Sequence, residues 1–94
     1  MSRIKLPLKS RLVLEFQDGE LWETEAISRL LEDEGTQSEY WKFNARFWMI
    51  EMAGSGVLKV VDQRMDDSFY GSEKIVFKYR LTHLGQERID KYLK

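Results

Sequence analysis

His83 is the chain's one imidazole, and there is no cysteine. A metal centre or an acid–base pair built on imidazole and thiolate therefore has no second member of that kind. His83 falls in the first turn of a helical pattern, where the positive dipole end disfavours a protonated ring, so it is expected to be an exposed or capping residue. The carboxylates of Glu32-Asp33-Glu34 would need further oxygen ligands around a loop to hold a hard cation. They sit at a helix end without EF-hand spacing and read as a solvated face. Gly54-Ser55-Gly56 lacks the lysine and the strand-to-helix order of a phosphate loop and reads as a helix C-cap. The chain is accordingly expected to be no enzyme and to need no metal or cofactor. What remains is the chemistry of recognition. Lys42 and Arg46 can hydrogen-bond guanine edges or phosphate, Asn44 can pair with adenine, and Ser38 stands where their helix begins.

The elements that must position these residues follow from period and punctuation. A first helix is expected over about Lys9 to Gln17, with Leu12, Val13 and Phe16 inward, ended by Asp18-Gly19. Leu21 and Trp22 form a short extended link. Thr24 then caps a second helix with Ala26, Ile27, Leu30 and Leu31 apolar, Glu23 and Glu25 at its positive end, and Gly35 as its stop. The third helix starts at a Thr36/Glu39 capping box or at Ser38 alone and runs to about Ala53. Val57 to Arg64 and Lys74 to Leu81 read as two strands of a hairpin, and the polar connection between them as a mobile turn. In YRLTHLGQERIDKYL, residues 79–93, the period then changes from two to helical, with Thr82 placed to cap and Gly85 hinting at close backbone packing.

Ninety-four residues make one domain, long enough to bury somewhat more than ~60% of its unfolded surface without metal or disulfide staples. The N-terminal MSRIKLPLKSR lacks the apolar core of a signal peptide and no run is long enough to span a bilayer, so a cytoplasmic, membrane-free location is expected. The formal net charge is −1, but it is polarised. Arg3, Lys5, Lys9 and Arg11 open the chain without an acid, and every charged residue from Glu15 to Glu39 is an acid except Arg29. Lys74, Lys78, Arg80, Arg88, Lys91 and Lys94 then face only Glu87 and Asp90.

The order helix, extended link, helix, helix, hairpin, helix resembles the winged helix-turn-helix domain of small prokaryotic, including archaeal, transcription regulators. Tyr79, Leu81, Thr82 and Gly85 are similar to the Tyr-x-Leu-Thr-x-x-Gly that joins their second wing strand to a terminal helix. Ile50-Glu51-Met52-Ala53-Gly54 resembles the Leu-Glu-x-x-Gly closing their recognition helix, with Ser55 and Gly56 lengthening the link. The resemblance implies an α+β winged-helix domain over residues 1–94. Its parts would be an N-terminal arm (1–8), a recognition helix (38–53), a wing hairpin (57–81) and a terminal helix (82–93). It also implies a DNA-binding transcription regulator whose third helix reads double-stranded DNA in the major groove. Any small effector would bind within this domain or at a dimer interface.

On that expectation Tyr40, Phe43, Phe47 and Ile50, one stripe at about 100° per residue, pack against the first two helices. Trp41, Ala45, Trp48 and Met52 form a second apolar stripe roughly opposite. Either the N-terminal segment or the terminal helix covers it, or Trp41, Trp48 and Met52 are a protein interface, most simply a symmetric homodimer. Stacking of Trp41 on nucleic acid is disfavoured because duplex bases are not splayed out. The expected DNA contacts are Ser38, Trp41, Lys42, Asn44 and Arg46, joined by Lys78 and Arg80 from the outer face of the second strand. Asp66, Asp67 and Glu73 make the wing acidic, which phosphate repels. The alternative is a winged-helix module for protein–protein interaction without DNA binding.

Overall fold

The computed structural model describes residues 7–35 and 38–92. Among these residues the backbone is α+β, with four α-helices and a three-stranded antiparallel sheet of order β1-β3-β2. That layout is compatible with a winged helix. Most of the expected N-terminal arm, Thr36 of the capping box and Leu93 lie outside the described residues.

Helix α1 (Leu8–Leu14) runs into a 3-10 turn (Glu15–Asp18), and Gly19, at φ 141°, ends it where the Asp-Gly signal placed the stop. Leu12, Val13 and Phe16 are buried as their spacing requires. Leu21–Trp22 is more than a link. It forms strand β1 and pairs with Tyr79 and Lys78. Helix α2 (Glu23–Glu34) leaves that strand without a spacer, so its cap is Trp22 and not Thr24, which is buried within the first turn. The Trp22 backbone N–H donates to Glu25 Oε1 at 3.1 Å, which satisfies one of the groups the helix start leaves open. Gly35 closes α2 in the left-handed conformation, φ 70°, as a glycine after the last apolar position should.

Helix α3 (Glu39–Gly54) departs from expectation in which face it buries. Ala45 and Met49 are inaccessible and Met52 is 7% exposed, with Trp41 and Trp48 half-buried against the same core. Tyr40 and Phe47 are instead 65% and 66% exposed, and Ile50 is exposed too. Three of the four residues expected to pack on the first two helices thus face outward, and the fourth, Phe43, is half-buried against Tyr70 of the hairpin loop. Trp41, Trp48 and Met52, expected either to be covered by the N-terminal segment or terminal helix or to form an interface, lie on the core side. Small Ala45 lets the helix approach closely, and flexible methionines fill the irregular space beneath it.

Strands β2 (Leu58–Asp66) and β3 (Lys74–Leu81) form the expected hairpin, with Leu58 opposite Leu81 and Met65 opposite Ile75, interrupted by a bulge at Val61. The connection 67–73 is not a free turn. Asp66 Oδ1 accepts from the Ser68 and Phe69 N–H groups, and Tyr70 is buried against the Phe43 ring. Helix α4 (His83–Tyr92) starts as predicted: Thr82 Oγ1 accepts from Gly85 N–H at 2.9 Å. A Cβ on Gly85 would overlap the Val57 carbonyl and lie 2.7 Å from Leu81 Cδ1, which is the close packing its position suggested. In the centre Phe16 meets Tyr79 edge-on at 6.2 Å, and burial pushes the Tyr79 hydroxyl pKa up to about 12.

Candidate functional site

Because α2 begins directly after β1, its first residue sits inside the sheet edge instead of in solvent. Glu23 is 1% exposed, and its two carboxylate oxygens are filled from three elements. Arg46 Nη1 on α3 donates to Oε2 at 2.6 Å, Tyr70 Oη from the hairpin loop donates to the same oxygen at 2.6 Å, and Phe77 N–H on β3 donates to Oε1 at 2.6 Å. Arg46 Nη2 also donates to the Ile75 carbonyl at 2.9 Å, and its guanidinium lies 5.2 Å from the Tyr70 ring centre. Burial is the largest single influence and works against the Arg46 charge, but the Glu23 carboxylate and the Tyr70 hydroxyl together outweigh it and hold the pKa above its ordinary value. Burial, followed by the bond to Glu23, raises that of Tyr70. The arginine expected to read DNA is therefore committed to an internal ion pair that ties α3 and the hairpin loop to the start of α2.

Lys42 is committed in the same way. Its Nζ donates to the Phe69 carbonyl at 3.1 Å, pairs with Glu39 at 2.8 Å and lies 4.7 Å from the centre of the Phe69 ring. Asn44 Nδ2 turns back to the Tyr40 carbonyl at 2.8 Å, a local bond of the kind that competes with solvent or ligand. Ser38 is the half-buried N-cap residue. Trp41 packs between Tyr40 and Trp48, with centroids 5.1 and 6.2 Å away. Four of the expected contacts thus share one helix, with Ser38 as its cap, but the structure gathers the helix's two cations around the hairpin loop and not on an open surface.

What α3 does present outward is Tyr40, Phe47 and Ile50, flanked by Asn44, Glu39 and Glu51. Glu39 is paired with Lys42 and Glu51 with Lys9. Among the described residues, the exposed large apolar side chains outside α4 all belong to this helix or the hairpin: Val60, Val61, Met65 and Ile75 complete the set. Their concentration on two adjoining elements distinguishes them from the scattered surface apolar residues of any monomer.

The hairpin's other face is cationic. Register places Lys59 directly opposite Arg80, and Lys78 and Arg64 on the same side. Trp22 stands among them, its ring centre 4.3 Å from the Arg64 guanidinium and 5.9 Å from Lys78 Nζ. Lys78 also reaches Glu20 at 3.7 Å, and Asp62 is its cross-strand neighbour. Lys78 and Arg80 therefore lie opposite Phe77 and Tyr79, as alternation required, and Lys59 and Arg64 join them without having been singled out from the sequence.

Two signals in the sequence pointed to the part that reasoning missed. Phe69-Tyr70 is an aromatic pair inside a polar connection, and such a pair needs a surface to cover. Glu23 follows a strand with no spacer, which leaves its side chain no room to reach solvent. Their partners, far apart in sequence, carry no mark of their own. His83 is 91% exposed on its side chain and meets Glu87 across one helical turn at 2.9 Å. The chain matches no protein-family model and no curated protein sequence.

Proposed function

We propose that the chain is a winged-helix module that binds another protein surface through the outward face of α3. The observation that carries this reading is the inversion of that helix. Its cations are drawn into internal pairs with Glu23 and the Phe69 carbonyl, and its exposed stripe is Tyr40, Phe47 and Ile50. Aromatic and aliphatic side chains are what the buried centre of a protein interface uses. A duplex reader instead needs donors and cations that reach base edges and phosphate from that same face. Titration of a labelled mixed-sequence duplex tests the reading. Binding should be absent, or salt-governed and unchanged in Phe47→Glu. Sequence-selective binding that Phe47→Glu or Tyr40→Ala abolishes would overturn it.

A second reading, a DNA-binding regulator, keeps support from the cationic face of the hairpin. Lys59 opposite Arg80 is a like-charge cross-strand pair that costs stability unless a polyanion neutralises it. Arg64 and Lys78 could follow the same phosphate backbone. Four such contacts predict a logarithmic salt slope of about −3.6 for duplex binding, from ~0.9 per phosphate. Charge reversal at Lys59 and Arg80 should flatten that slope while leaving α3 untouched. This reading assigns DNA to the sheet and not to the third helix, and it is compatible with protein docking on the opposite side.

A further inference from the structure

The geometry points to a binding site for a small amphipathic carboxylate in the cleft between α1, α4 and the C-terminal turn of α3. It goes beyond the reading above and does not rest on what α3 docks with. Helix α4 is seated by two buried residues, Gly85 and Ile89. Gly85 has no side chain to hold the helix off the Val57 carbonyl, and none to fill the space beside α1. A cavity of about 210 Å³ opens there, floored by Val13, Met52, Val57 and Ile89. These four are only 1% to 8% exposed, so the apolar surface is recessed and not a face that a flat partner could cover. An apolar cavity of about 150 Å³ accepts benzene. The space here takes a body of ~six to eight carbons, less than a drug-sized ligand needs.

The rim selects the head group. Arg88 of α4 and Lys9 of α1 both line the cleft, one on each helix. Lys9 is neutralised by Glu51, whereas Arg88 has no ion pair or hydrogen bond among the described residues. The acids of α4 do not compensate it. Glu87 meets His83 and Asp90 accepts from Gln86, and helical spacing puts both acids on the side of α4 away from Gly85 and Ile89. Half-buried Ser10 adds a hydroxyl to the α1 wall, and it too is uncommitted among the described residues. A guanidinium takes a carboxylate through two parallel N–H bonds, which a neutral ligand cannot replace and a cation would oppose. Charge also argues against the chain's own residues 1–6 as the occupant, since Arg3 and Lys5 have the same sign as the rim. Apolar floor, free cation and adjacent hydroxyl together describe an organic acid lying tail-in.

The test uses the full chain with carbon-13-labelled methyl groups and sodium octanoate as the probe. Titration should shift the Val13, Val57 and Ile89 methyl resonances saturably, with a midpoint of ~1 mM or below for a ligand of ~10 non-hydrogen atoms. Acetate, the head group alone, should leave them in place. Arg88→Ala, at an exposed position, should weaken octanoate by ~5-fold or more while the rest of the spectrum is unchanged. Arg88→Lys, which keeps the charge, should recover part of the loss. Binding of 1-octanol as tight as that of octanoate, or an Arg88→Ala variant that binds like the wild type, would overturn the carboxylate as the ligand. No shift at ~10 mM octanoate, or shifts confined to Ile50 and the hairpin, would overturn the site itself. Nuclear Overhauser contacts from Ile4 or Leu6 to Ile89 in the ligand-free chain would make residues 1–6 the occupant and overturn the small acid. None of these outcomes bears on Tyr40 and Phe47, so the protein-docking reading stands or falls separately.

Discussion

Glu23 shows how one carboxylate can organise a small domain. With 1% of its surface exposed, its charge is tolerable only because Arg46, Tyr70 and the Phe77 N–H surround it. Such a pair adds little stability relative to an apolar replacement of both members, but loss of one member leaves the other buried and uncompensated. Arg46→Ala should therefore cost on the order of 3–5 kcal/mol, read from urea unfolding. Arg46→Ala combined with Glu23→Gln should recover part of that loss. If Arg46→Ala costs no more than an ordinary surface substitution, the pair is not the anchor the geometry describes. A second residue-scale expectation concerns Asp66, whose pKa is lowered by the N–H groups of Phe69 and Ser68 that it accepts. Since the folded value is depressed, its contribution is present above the ordinary value of 3.8 and is lost as pH falls through the folded value. The difference in urea midpoint between wild type and Asp66→Ala should be constant near neutrality and close in acid below 3.8. A difference that persists in strong acid would detach the turn from the carboxylate's charge.

The elements were largely legible in the sequence, because period and punctuation are local. Gly19, Gly35, Thr82 and the alternation around Tyr79 act where they stand. The face of α3 was not legible, and the reason can be located. The Leu-Glu-x-x-Gly resemblance was anchored on Ile50 and Gly54. The glycine that makes the turn into the hairpin is Gly56, at φ 86°, followed by buried Val57 and Leu58. Moving the anchor by two residues puts Met52 in the leucine position and rotates the helix by about 200°, which exchanges core for solvent. Hydrophobicity gave no warning, since Tyr40, Phe47 and Ile50 are more conspicuous than Ala45 and Met49, the two residues that are fully buried. The two glycines near this junction offer a contrast. Gly85→Ala should destabilise by about 1–3 kcal/mol, the usual range for overpacking, because the obstructing atom is the Val57 backbone oxygen. Gly54→Ala meets nothing and lies in the helix, so it should stabilise by about 0.5–1 kcal/mol. Thermal unfolding of both variants checks the pair, and equal effects would mean that the α4 packing is looser than described.

For the whole molecule, the net charge of −1 conceals two differently equipped surfaces. The outward face of α3 is apolar and carries its charges as internal pairs, while the outer face of the hairpin sets Lys59 against Arg80 beside Arg64 and Lys78. No helix among the described residues is long and apolar enough to cross a membrane. The cationic face carries a cost that the fold does not need. Directly opposed like charges on adjacent strands destabilise, whereas an opposite-charge pair there is worth about 0.2–1 kcal/mol. Lys59→Glu should therefore raise the urea midpoint at low ionic strength. The gain should shrink toward zero near 1 M salt, where the screening length falls to ~3 Å. If the cluster serves a polyanion, the same substitution should weaken duplex binding, so stability and binding move in opposite directions in one variant. A variant that gains stability with no change in duplex binding would make the cluster ordinary solubility charge and leave α3 as the working surface. One that gains no stability would place Lys59 and Arg80 too far apart in solution for the register to matter.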